Sequence, residues 1–171
     1  MKQEPEWMTK MRLRSLDVFR KKTMPKGQQY AIAVALRRLT LLHDALFIVN
    51  DHADIAIAAD ADGAHLGQDD LPPSVVRELP GFRGRLIGRS THSVEQARSA
   101  MAEGADYLAV GPVYPTPTKA GRPAVGTGLV SEVAAIAERP FVAVGGIDHE
   151  QIKHSVHSVV RRFRHHRRRG A

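Results

Sequence analysis

The feature that most constrains this chain is a rhythm. Short apolar runs recur at Leu16–Phe19, Leu46–Val49, Gly63–Leu66, Leu86–Gly88, Tyr107–Val110 and Phe141–Val144. Each has the length of a buried strand, and helix-like stretches lie between them. Tyr30, Ala31, Val34, Ala35 and Leu41 mark the expected apolar face of a helix near residues 26–43. Val94, Ala97, Met101 and Ala102 mark another near 93–103, and Val130, Val133, Ala134 and Ile136 a third. Ser93 before Val94, with Gln96 three residues on, reads as a capping box at the second of these. Strands buried on both faces and alternating with helices make a parallel α/β sheet. Several strand starts are spaced like the βα repeat of a (β/α)₈ barrel. About six strands are visible, so the expectation is an incomplete TIM barrel, and periodicity alone leaves an open doubly wound sheet in competition.

Charge looks like a nucleic-acid signal until it is located. The chain has 25 basic and 18 acidic residues, a net charge of +7. Seven of the basic residues (Lys153, Arg161, Arg162, Arg164, Arg167, Arg168 and Arg169) fall in the acid-free stretch 153–171. The 18 that remain balance all 18 acids. The body is neutral, which argues against a polyanion-binding domain. A functional alternative has the arginines holding polyanions by counterion release. The composition rules out disulfides and thiolate metal sites, since the sequence has no cysteine. No apolar run approaches a membrane span and no signal-like core follows the N-terminus, so no membrane partner is expected and a cytoplasmic address is the default. The expected organisation is an unassigned leader at 1–15, a barrel-like domain at 16–152 and a basic tail at 153–171.

In such folds chemistry gathers where strands end. Asn50-Asp51 follows the second run, Gly67-Gln68-Asp69-Asp70 the third, and a loop from Gly111 to Lys119 the fifth. Asp51 and Asp70 would project from neighbouring strand tips. Two carboxylates suit Mg²⁺, which keeps waters and shares its shell with phosphates. The bland alternative is that each aspartate caps the helix after it. Thr116, Thr118 and Lys119 stand among prolines that stiffen the backbone, an arrangement suited to clamping an anion. Gly145-Gly146 permits close backbone approach to a ligand. Arg20 and Lys22 follow the first run and would point toward the same mouth. Acids holding a metal, ringed by Lys, Arg and Thr, describe a pyrophosphate site.

Together these segments resemble thiamine phosphate synthase, a TIM-barrel family. The resemblance is carried by Phe47-Ile48-Val49-Asn50-Asp51, His65-Leu66-Gly67-Gln68-Asp69-Asp70 and Gly88-Arg89-Ser90-Thr91-His92-Ser93, then by Gly104 to Tyr107, Gly111 to Lys119 and Val144 to Ile147. It covers about residues 16–152, and the Thr-Pro-Thr-Lys loop with the acids favours the synthase over the related thiazole tautomerase. The resemblance implies that Asp51 and Asp70 ligate Mg²⁺. It implies that Arg20, Lys22, Asn50 and Lys119 hold the diphosphate of hydroxymethylpyrimidine diphosphate. Ser90 matches the serine near the leaving group, with Lys119 the other residue given a catalytic role. Thr116 and Thr118 match the clamp, and Gly146 a glycine at the phosphate of the thiazole substrate. The implied reaction ionises the pyrimidine–diphosphate bond, and the thiazole nitrogen then attacks the methylene. No general base is needed, so His65 and His92 are expected to be structural.

The chain departs from the family pattern in four places. Val18 stands where a substrate-binding glutamine belongs, the first strand and helix are not recognisable, and an eighth strand is not visible. The composition also shifts abruptly after Ile152, as a truncation or changed reading frame would make it. The expectations that follow are self-association through open sheet edges and weak thiazole phosphate binding unless another chain completes the barrel. A catalytically impaired remnant of the family is the alternative to an active enzyme.

Overall fold

The structure is a computed structural model that describes residues 24–116 and 123–147. Among these residues five strands stand in the sheet in the order β1-β2-β3-β4-β5, which is also their order along the chain. A doubly wound sheet reverses direction at a switch point. No reversal occurs in this order, so the architecture is a partial (β/α)₈ barrel. The run Leu16–Phe19, the leader and the basic tail lie outside the described residues.

Two compact units divide the chain between Gly88 and Arg89. The first holds α1 (Lys26–Leu42), β1 (Ile48–Asn50), α2 (Ala53–Ala58), β2 (Gly63–Leu66), α3 (Pro73–Arg77) and the start of β3 (Leu86–Thr91). β1 and β2 pair in parallel, with Asn50 opposite His65. Phe47, Leu66, Val76, Phe82 and Ile87 form the core of this unit, and each is almost wholly removed from solvent. Small residues at Ala53, Ala56, Ala61 and Ala64 let α2 pack closely there. Truncating Phe47 or Phe82 to alanine would cost about 3–5 kcal/mol in such a site.

The boundaries of α1 agree with its periodicity, but its buried face does not. Tyr30, Ala31, Ala35 and Leu41 are exposed, whereas Ala33 and Thr40 are buried, with Val34 and Leu36 packed against the core. The reason is polar. Arg37 Nη1 donates to Asp62 Oδ2 at 2.9 Å, and the same oxygen accepts the Phe47 N–H at 2.7 Å. This bridge between α1, the entry to β1 and β2 turns the 33–37–40 face inward. Helices α2 and α3, of six and five residues, are too short to display a helical period in sequence.

The second unit holds the rest of β3, α4 (Val94–Ala102), β4 (Tyr107–Val110), α5 (Gly126–Ile136) and β5 (Phe141–Ala143). β4 and β5 pair in parallel, Leu108 opposite Phe141. Ala97, Ala100, Leu108, Val110, Val130 and Val133 make its core. In α4, Ala100 is buried where Ala102 was expected, and Ala102 is exposed. β4 is buried throughout, but β5 alternates, and Val142 is 38% exposed. The expectation of burial on both faces therefore fails at β5 and also at β1, where only Val49 is fully buried. β3 runs three residues beyond its apolar run because Arg89, Ser90 and Thr91 are themselves buried. Among the described residues no helix is long and apolar enough to cross a membrane.

Candidate active site

In the first unit the site grows from two parallel strand tips. Asn50 is the last residue of β1 rather than the first of the following loop. The ladder continues one step further, since the Asp51 N–H donates to the His65 carbonyl at 2.8 Å. The chain then turns at Asp51 itself, which adopts φ 64°. Left-handed backbone is tolerated best, after glycine, by Asp and Asn, yet it costs a non-glycine residue about 1–3 kcal/mol. Aspartate is thus held in a strained turn at the end of β1, a common mark of a working position.

After β2 the chain closes on itself. Asp70 Oδ2 accepts the Gly67 N–H at 2.6 Å, and the Asp70 N–H donates back to the Gly67 carbonyl at 3.3 Å. A methyl group placed on Gly67 would lie 3.1 Å from Asp70 Oδ2 and 4.0 Å from Asp51 Oδ1. Both carboxylates therefore border one spot above Gly67. The capping alternative is overturned for both. His52 occupies the N-cap of α2 and Pro72 that of α3, and neither helix has a side-chain cap.

Two carboxylate oxygens on adjoining strand ends are hard ligands that leave most of a coordination shell to water and phosphate. That donor set fits Mg²⁺. Among the described residues, no group of three or more His, Cys, Asp or Glu gathers to hold a metal.

In the second unit backbone dominates. Ser90 lies in β3 and is 6% exposed. The loop after β4 begins at Gly111 and carries Thr116, which is half-buried. It packs against the turn after β5, with Val113 N–H donating to the Val144 carbonyl at 2.9 Å and Tyr114 N–H to the Gly145 carbonyl at 3.0 Å. Gly146 has φ 65°, and a Cβ there would come within 2.7 Å of the Tyr114 and Pro115 carbonyls. Only glycine fits both the dihedral and the space. Burial of Tyr107, with the Asp106 charge beside it, pushes that phenol's pKa far up, so it stays neutral inside the strand.

The structure thus brings Asp51 and Asp70 together in one unit, where Asn50 ends the adjoining strand, and gathers the Thr116 loop with Gly146 in the other, where Ser90 also lies. Arg20, Lys22, Thr118 and Lys119, like Val18, lie outside the described residues. Sequence reasoning missed two supports that have no side-chain signature, the His65 carbonyl and the Gly67 amide. It expected His92 to be structural without naming a partner, and the His92 ring bonds the Gly111 carbonyl at the start of the loop.

Comparison with known proteins gives this geometry its context. The family model for thiamine monophosphate synthase matches residues 11–163. The thiamine-phosphate synthase of Gloeobacter violaceus is 52% identical over 134 residues, covering 78% of this chain and 39% of that protein. That of Mycolicibacterium vanbaalenii is 51% identical over 132 residues, covering 77% of this chain and 57% of its own length. Among solved structures, thiamine phosphate pyrophosphorylase from Pyrococcus furiosus aligns with TM-score 0.73 and 36% identity, over 81% of this chain and 65% of that one. The chain therefore spans roughly two-fifths to three-fifths of the curated relatives it matches. The matched span contains both strand-tip aspartates and the whole sequence from Gly111 to Lys119, and the chain belongs to the thiamine monophosphate synthase family.

Proposed function

We propose that this chain is a transferase joining hydroxymethylpyrimidine diphosphate to thiazole phosphate, with thiamine phosphate and pyrophosphate as products. The observation that carries the reading is the meeting of Asp51 Oδ1 and Asp70 Oδ2 over Gly67. These two residues would hold Mg²⁺. When bound, the cation supplies positive charge to the leaving diphosphate.

The remaining work falls to the chain itself. The bond from the pyrimidine methylene to the diphosphate oxygen breaks, and its electron pair leaves with pyrophosphate. The thiazole nitrogen then donates its lone pair to the methylene and forms the new C–N bond. No proton has to move. What the protein must supply is donors aimed at the charge that develops on the leaving group. In this reading the Ser90 hydroxyl and the Asn50 amide donate there, joined by Arg20, Lys22 and Lys119. Thr116 and Thr118 clamp the anion, and the backbone at Gly146 receives the thiazole phosphate. The rigidity of the Thr116 loop and the strained Asp51 turn support this reading, because preorganised groups need no reordering as charge develops.

A cytoplasmic setting belongs to the proposal, since multiply charged phosphate substrates do not cross hydrocarbon unaided. We also infer association with a second copy of the chain through β5, whose Val142 and adjoining Val144 are 38% and 36% exposed. Sedimentation that stays monomeric at high concentration overturns that part.

The test of the activity is pyrophosphate release with both substrates and Mg²⁺. Turnover that needs both substrates and is abolished by chelation supports the reading. A folded chain that binds Mg²⁺ and pyrophosphate but releases none from substrate is the impaired remnant instead.

A further inference from the structure

The Gly111–Thr116 loop is gripped at its first residue by Thr91, which ends β3, and by His92, the residue just past it. The Gly111 N–H donates to the Thr91 carbonyl at 3.2 Å, and His92 Nδ1 bonds the Gly111 carbonyl. A carbonyl oxygen only accepts, so Nδ1 carries the proton and the neutral ring is the Nδ1–H tautomer. His92 is itself fixed from the other side. Its N–H donates to Gln96 Oε1 at 2.7 Å, while Ser93 Oγ accepts the Gln96 N–H at 3.2 Å. The first turn of α4 thus aims the imidazole. Gln96 reaches past the N-cap residue to His92, one step beyond the ordinary reciprocal capping pair.

We infer that His92 is a positioning residue for the loop that carries Thr116, acting through the Gly111 carbonyl. The loop's other anchors described above run from backbone to backbone and would form with many sequences. The His92 contact depends on a side chain with a donor three bonds from Cα. Gly111 has no room to adjust, since a Cβ there would collide with the Val144 carbonyl. A loop pinned at Gly111 and again at Val113 and Tyr114 can move only if one of these anchors gives way. His92 is the anchor that a point substitution removes.

The test uses the full chain and three variants, His92→Asn, His92→Gln and His92→Leu. The asparagine amide nitrogen falls where Nδ1 stands, whereas that of glutamine lies one atom further out. Native-state hydrogen exchange is read at the Val113 and Tyr114 amides, with Val49 and Ala64 as references in the other unit. Calorimetry with Mg²⁺ and pyrophosphate gives the affinity. The inference expects His92→Leu and His92→Gln to raise exchange at Val113 and Tyr114 roughly fivefold, the size of one net hydrogen bond. Exchange at the reference amides stays unchanged. Pyrophosphate affinity falls by a similar factor, and His92→Asn restores both.

Unchanged protection in His92→Gln, or an asparagine variant as loose as the glutamine one, overturns it. Should the leucine variant fail to fold, the asparagine and glutamine pair decides. The affinity readout rests on the proposed function, but the exchange readout does not. A wild-type chain that binds no pyrophosphate sinks that function, while the exchange data still judge His92.

Discussion

The two units present their functional ends by different means. In the first, charge is placed by side chains: Asp51 from a strained turn after β1 and Asp70 from a closed turn after β2, both over Gly67. In the second, shape is placed by backbone, with the loop after β4 hydrogen-bonded to the turn after β5 and Gly146 fitted beneath it. A cation demands full negative charges, which only side chains carry. An anion is served by amides and hydroxyls on a rigid frame. The difference predicts that substitutions at the strand-tip acids of the first unit remove activity and spare the fold, whereas those in the backbone frame around Gly146 in the second damage both together.

The largest effect is expected at the acids. Asp51→Asn or Asp70→Asn should lower pyrophosphate release by roughly 100-fold, the loss usual for one preorganised electrostatic group. Thermal unfolding of Asp51→Asn should be nearly unchanged, because asparagine also accepts left-handed backbone. Parallel losses of stability and rate in that variant would erase the contrast.

Gly146→Ala comes next. The added methyl meets two carbonyls at 2.7 Å with φ 65°, so the variant should lose about 1–3 kcal/mol in denaturant titrations and turn over more slowly. Full stability in this variant would show that the backbone frame is slack.

The contrast was only partly legible from the amino acids. β2 and β4 coincide with their apolar runs because burial demanded nothing but apolar residues there. β3 was read short because three polar residues are buried within it. The face of α1 was misread because the Arg37–Asp62 pair, not hydrophobicity, sets its rotation. At the site, the aspartates could be placed by their position after strands. Their convergence could not, because the groups that set it are the Gly67 amide and the His65 carbonyl, which every residue type supplies. For His92 a structural role was legible but its partner was not, because that partner is a carbonyl nineteen residues away.

Asp51→Gly sharpens the contrast from the other side. Relief of the left-handed strain should raise stability by about 0.5–1 kcal/mol while activity is lost. A destabilised variant would mean that the Asp51 side chain also holds the fold.

The smallest effect concerns Asp54, far from the chemistry in role. Partial burial raises its pKa, but the Lys26 hydrogen bond at 2.6 Å, a hydrogen bond from the Ile55 backbone and the Lys26 charge together outweigh it, and the net shift is downward. A carboxylate with a lowered folded pKa stabilises the protein above its unfolded pKa, and that contribution fades as pH falls through the folded value. Both partners are mostly exposed, so the pair is worth no more than about 0.5 kcal/mol. Asp54→Asn should cost that much at pH 7 and nothing in strong acid, with activity unchanged.

The most direct trial is a calorimetric titration of Mg²⁺, in the presence of pyrophosphate, into the wild-type chain and into Asp51→Asn and Asp70→Asn. Saturable uptake of the cation by the wild type, abolished in each variant while both remain folded, is the result this account predicts. Equal uptake by all three proteins would contradict it.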